Sequence, residues 1–294
     1  MFTKRPLWTA LAVVVILALV FTLTPASALA NSFLGLFRVQ KVTVVSFNPQ
    51  AIKNSESALQ NQSDAIQQVF QDDLKITGGG QAQSTTVVDE AAQWAGFTPR
   101  VLELGSAPVF NVKPVEEARF TLHQGKLQAL IDAAGVDYQL PKAVDGQVVT
   151  LIVPISVMAT YGSCPQTDAN PGIDSAADCT TLMQLSSPTV DAPPELDIKQ
   201  LGAAMFQFLG LSPAEAQKLS SQIDWTTTLV LPIPQGEGVS YQDFTIDGVT
   251  GTLIYSTDAS QEYYAVIWTK AGMLYNLTGP GGLEQAQQAA AALK

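Results

Sequence analysis

Apolar and polar positions divide the chain into distinct regimes. Leu7 to Leu23 (LWTALAVVVILALVFTL) is apolar apart from Thr9 and Thr22, and no charge occurs between Pro6 and Phe37. A helix over 7–30 would span about 36 Å, longer than a hydrocarbon core of about 30 Å. Lys4 and Arg5 precede it and favour an inside N-terminus. Ala28-Leu29-Ala30 before Asn31 reads as a cleavage site for a signal peptide. Two readings therefore stand, an uncleaved transmembrane anchor or a removed signal, and both export the rest of the chain.

Beyond the leader the periodicity alternates between two and three-and-a-half. Asn31 to Phe37 (NSFLGLF) suits a membrane surface, and Val39 to Phe47 is β-branched and predicts a strand. Pro49 to Leu74 predicts an amphipathic helix with Ile52, Leu59, Ile66, Val69 and Phe70 near one face. Gly78-Gly79-Gly80 breaks the pattern. A short helix over 89–95 follows, with Asp89 as N-cap and Gly96 as the left-handed stop. Val109 to Leu122 is extended and broken by Pro114, and Lys126 to Ala134 is helical up to Gly135. Asp145-Gly146 marks a turn before the strand Val148 to Val153.

The C-terminal third carries the strongest local signals. Asp197 to Leu209 predicts a helix stopped by Gly210. Ser212-Pro213-Ala214-Glu215 then combines an N-cap, a proline at the first helical position and a capping-box glutamate. A strand is expected over 228–232. Hairpins are expected around Asp247-Gly248 and Lys270-Ala271-Gly272, and a helix over 283–293 closes the chain. The fold class expected is α+β, antiparallel sheets packed against helices, with one N-terminal transmembrane helix. The organisation expected is a cytoplasmic tail (1–6), the anchor or signal (7–30), a juxtamembrane strand and amphipathic helix (31–85) and an extracytoplasmic domain (86–294). Similarity between the stretches 144–152 and 246–254 allows two lobes, 86–195 and 196–294.

Composition narrows the function. The chain has 294 residues, 47% of them hydrophobic, only 14% charged, and a net charge of -11. An acidic body of this kind argues against nucleic-acid binding, which needs a basic footprint. The two cysteines, Cys164 and Cys179, most simply pair as a disulfide in an oxidising compartment, and two cysteines with one distant histidine do not complete a metal site. His123 is the only histidine, and no G-x-S-x-G motif occurs, so a nucleophilic triad has no support. No cofactor-binding motif is present either: the Gly78–Gly80 run lacks the tail of a phosphate-binding loop. Asp168, Asn170, Asp174 and Asp178 crowd the cysteine loop without the alternating pattern of a calcium loop. Asn61 and Asn276 head glycosylation sequons that matter only in a eukaryotic secretory pathway. Asp224, beside Trp225, is the one carboxylate that suggests a cleft with a raised pKa.

The residues from Val88 to Pro99 (VDEAAQWAGFTP) resemble the opening of an uncharacterised bacterial extracytoplasmic domain family. Its members occur at the C-termini of anti-sigma-factor-like membrane proteins and beside proteins likened to lipoprotein-sorting factors. The ending is similar too: Asp247-Gly248, Ile267-Trp268-Thr269, Gly272, Leu274 to Gly279, then the helix from Leu283 to Leu293. Ala28 to Gln40 looks like the stretch after the single span in such proteins. The shared motifs are packing motifs, and the resemblance brings no active site. With six residues before the span, this chain lacks the cytoplasmic sigma-binding domain of anti-sigma factors. The resemblance therefore implies an outer-face sensor or co-regulator with an envelope protein as partner.

The resulting expectation is a non-enzymatic, membrane-anchored binding protein at the bacterial plasma membrane, with an apolar groove lined by Trp225, Phe244, Trp268 and Tyr275. A lipid or lipoprotein carrier with a deep apolar cavity is the alternative, and a hydrolase using Asp224 is a second one.

Overall fold

A computed structural model describes residues 39–50, 72–164, 178–236, 238–256 and 262–294. The apolar leader, most of the expected helix 49–74 and the acidic part of the cysteine loop lie outside these residues. The fold is α+β, with mostly antiparallel sheets and five helices. Among the described residues no helix is long and apolar enough to cross a membrane.

The largest sheet has eight strands. Its order is β11 (Val239–Ile246), β12 (Val249–Ser256), β13 (Tyr263–Lys270), β14 (Met273–Pro280), β8 (Cys179–Ser186), β7 (Ser156–Gly162), β4 (Val109–Lys113) and β3 (Gln83–Thr85). A four-stranded sheet runs β2 (Leu74–Gly78), β5 (Glu116–Thr121), β6 (Val148–Val153), β9 (Thr189–Asp191). The two orders match strand for strand: β3, β4, β7 and β8 each continue into β2, β5, β6 and β9. The break falls at one level across all four. It holds Pro114, Pro154 and Pro188 in three strands and Gly79-Gly80 in the fourth. Proline has no N–H to give a ladder, so pairing stops there and the strands turn out of the first sheet into the second. The large sheet also draws strands from both sides of residue 195, because β14 pairs with β8 from Met273↔Ser186 to Thr278↔Thr181.

Both expected hairpins are two-residue turns. Asp247-Gly248 and Ala271-Gly272 have φ of 55° and 74°, and of 52° and 78°, the double left-handed geometry that matches strand twist. The other Asp-Gly pair differs. Gly146 is left-handed (φ 74°) but follows the 3-10 turn Lys142–Val144, and β6 pairs with β5 across an intervening helix.

The helices are α1 (Val88–Ala95), α2 (Gln124–Ala133), α3 (Ile198–Phe208), α4 (Pro213–Gln222) and α5 (Leu283–Ala291). The capping box at Ser212 and Glu215 forms as its spacing requires, and Gly96 is left-handed after α1. Two boundary expectations are corrected. Residue 87 is the N-cap of α1 with no side-chain bond, so Asp89 sits inside the first turn, where its charge meets the positive helix end. Leu74 begins β2 instead of ending a helix, because it pairs opposite Phe120 in the small sheet.

Three hydrophobic clusters result. The first lies between α1, α5 and one face of the large sheet, around Phe110, Tyr264, Val266 and Trp268. The second lies inside the small sheet, around Val144, Val149, Leu151 and Leu201. The third joins α3 and α4 to a two-stranded ribbon of β1 (Lys41–Phe47) and β10 (Thr228–Pro234). That ribbon is parallel, from Lys41↔Thr228 to Phe47↔Pro234, and β1 crosses over β12 and β13.

Gly202 marks the tightest helix contact. A Cβ there would strike the indole of Trp225, which donates its N–H to Ser220 O at 2.9 Å. Gly202→Ala should therefore destabilise by about 1–3 kcal/mol through overpacking. Gly125→Ala, in α2 with open space around it, should stabilise by about 0.5–1 kcal/mol. Urea unfolding of the two variants checks the opposite signs.

Candidate binding face

Alternation along β7 places Val157, Ala159 and Tyr161 in the first core and leaves Ser156, Met158 and Thr160 half-buried on the other side. The same parity holds in the neighbouring strands, so the register assembles two cross-strand rows. One runs Asn111–Met158–Met183–Asn276 and the other Val109–Thr160–Thr181–Thr278. Neither contains a charged side chain. Thr181 Oγ1 and Thr278 Oγ1 lie 2.7 Å apart, Thr160 Oγ1 donates to Val109 O at 3.1 Å, and Ser84 Oγ donates to Asn111 Oδ1 at 2.6 Å. Asn276 Oδ1 is buried and receives no hydrogen bond among the described residues, leaving an acceptor in the floor. Met158 brings adaptable, polarisable contact between hydroxyl and amide groups, while Met183 packs against the second core.

A disulfide closes one end of this face. Cys179 opens β8 opposite Gly162, and Cys164 reaches it across a Cα separation of 4.8 Å. Ser163 N donates to Asp178 O at 2.8 Å, and Gly162 (φ +80°) has no room for a Cβ against that carbonyl. Only glycine lets the two arms of the loop cross so closely.

The aromatic candidates lie elsewhere. Phe244, Trp268 and Tyr275 come together in the first core, where Trp268 and Tyr275 stack with centroids 4.9 Å apart. Trp225 belongs to the third core, tilted against Phe206. Trp268 is 0% exposed and Trp225 2%, so the groove expected from these four is corrected: they fill cores and do not share one. Aromatic rings of this size are drawn inward by the apolar area they bury, which their spacing in sequence does not distinguish from a ligand role. The clefts at the surface, of about 440 and 400 Å³, lie instead beside the α3–α4 turn and beside the β13–β14 turn.

Asp224 is also relocated. It is exposed on the turn before β10 and accepts from Thr226 N at 3.1 Å and Thr226 Oγ1 at 2.5 Å. Bonds from Thr226 hold its carboxyl below the ordinary range, the reverse of the raised value a general acid needs. Neither of the two clefts above is lined by Asp224. His123 precedes α2, with Nε2 3.1 Å from Asp73 Oδ1, and Lys126 Nζ lies 3.6 Å from Asp73 Oδ2. Asp73 is 4% exposed, and its contacts with His123 and Lys126 tie the start of β2 to α2.

A second polar node escaped the sequence reading. Asp247, in the β11–β12 turn, takes Lys270 Nζ at 2.7 Å and an Arg100 guanidinium N–H. Arg100 also donates to Lys294 O at 2.9 Å, while its backbone exchanges hydrogen bonds with buried Gln184. Burial pushes the Asp247 carboxyl up, and Arg100 and Lys270 outweigh it, holding it below the ordinary range. Among the described residues no group of three or more His, Cys, Asp or Glu is placed to hold a metal. Comparison with family models, curated proteins and solved structures finds no match to this chain.

Two outcomes follow from these sites. Replacing both cysteines, Cys164→Ser with Cys179→Ser, should cost about 3 kcal/mol in the chain-entropy picture for a loop of this length, read as a lower urea midpoint. A carboxyl with a lowered folded pKa stabilises above its unfolded pKa of about 3.9 and loses that contribution as pH falls. Asp247→Asn should therefore flatten the acid limb of a midpoint-against-pH curve while lowering stability at neutral pH.

Proposed function

We propose that the chain is a membrane-anchored extracytoplasmic binding protein of the bacterial envelope, a sensor or co-regulator resembling the outer domains of anti-sigma-factor-like proteins. The observation that carries its location is the Cys164–Cys179 disulfide, which favours an oxidising compartment and agrees with the apolar leader over 7–30. The binding part rests on the half-buried rows of β4, β7, β8 and β14. They offer hydroxyl and amide groups and the half-buried Met158 without charge, the surface chemistry of a neutral peptide-like partner. The parity of the strands supports binding over turnover: the half-buried face holds amides, hydroxyls and thioethers, none of them an activated nucleophile.

In cells, a photo-crosslinker at Thr160 of the full chain should capture one envelope protein, and Met158→Lys should abolish that adduct while leaving the thermal midpoint unchanged. The same label at Lys199, an exposed residue in the first turn of α3, should give none. A chain that stays monomeric under crosslinking from Thr160, or an adduct unaffected by Met158→Lys, removes the proposed face.

A further inference from the structure

The start of β1 is pinned, not loosely attached. Val39 is buried, and its N–H donates to Ser187 Oγ at 3.0 Å. Gln40 N donates to Thr227 O at 2.8 Å, and Thr269 Oγ1 donates to Gln40 O at 2.8 Å. The chain therefore enters the body at one place, beside the β13–β14 turn and the C-terminal end of β8. The eight residues 31–38 separate that place from the end of the apolar segment. Fully extended they reach under about 30 Å.

From this tether we infer that the body stands on the bilayer in a fixed sense. The end carrying Ser186, Gln40 and the β13–β14 turn faces the lipid surface, and the disulfide end of the sheet points away. The inference rests on the anchor reading of the proposed function. Strands β8 and β14 are eight residues long, so the two ends are about 26 Å apart. Gln40, Lys41, Ser186, Lys270 and Ala271 are exposed at the near end, beside the place where β8 turns through Pro188 into the small sheet. Lys270 is held by Asp247 there, so connectivity and not net charge sets the orientation. The Thr160–Thr181–Thr278 row lies toward the far end, clear of the lipid and open to a partner in the envelope space.

The test uses the full-length chain in vesicles whose lipids carry a nitroxide on the headgroup. Single variants Ser186→Cys and Glu262→Cys, labelled with a fluorophore, mark the near and far ends; Glu262 is exposed just before β13. Severalfold stronger quenching at position 186 than at 262 is expected. Equal quenching, or stronger quenching at 262, in vesicles that retain the protein through alkaline carbonate overturns the orientation alone. Release of the chain by carbonate overturns the orientation together with the anchor reading. Intact disulfide and unchanged far-ultraviolet circular dichroism in both labelled variants establish that the comparison is made on folded protein.

Discussion

Pairing between strands ends where a donor is missing, and here it ends in several strands at one level. Pro114, Pro154 and Pro188 stand beside one another across the sheet, with Gly79-Gly80 in the fourth strand. Had one proline stood alone, a bulge would have absorbed it and the ladder would have continued. Three in adjacent strands, each one ladder position along from the last, leave no uninterrupted neighbour to carry the sheet straight on, so it folds over. The small sheet then supplies one wall of the second core, with α2 and α3 against it, while α1 and α5 close the opposite face of the large sheet. The Thr, Met and Asn rows continue that inner face, with Met183 packed against the second core and Thr181 buried.

The local chemistry of the fold was largely legible. The capping box at Ser212, the glycine stops and the Asp247-Gly248 hairpin are each set by a few neighbouring residues whose geometry admits few alternatives. The cysteine pairing was legible because two cysteines allow one connectivity. Pro114 was read as a break in an extended stretch, but its alignment with Pro154 and Pro188 depends on register, which connects residues far apart in sequence. The same holds for β1: its β-branched residues announce a strand, and nothing in them names β10 as a parallel partner. Leu74 was assigned to the wrong element since one apolar residue after a helical pattern fits either period.

The site was less legible than the fold. Large aromatics drew attention because they stand out in composition, yet their size is what sends them into the cores. The face singled out by the structure is made of residues with weak individual signals, Thr160, Met158, Met183 and Asn276, and gains its character only when four strands align them. Asp247 was read as half of a turn and turned out to gather Arg100 and Lys270 as well, tying the segment after α1 to the hairpins and to Lys294. A turn residue with a short acidic side chain can do both, since its left-handed backbone leaves the carboxylate free to point inward.

The parallel ribbon also bears on how the molecule is made. β1 is among the earliest parts of the folded body to leave the ribosome, and its partners lie far downstream: Gln40 and Thr269, which bond to each other, are 229 positions apart. Synthesis must pass Pro234 before β1 has its whole partner strand, β10, to pair with. Until then a β-branched segment with open edges waits beside the nascent chain, where non-local pairing is slow and aggregation competes. Under the anchor reading proposed above, tethering that segment to a bilayer would also keep copies apart during the wait.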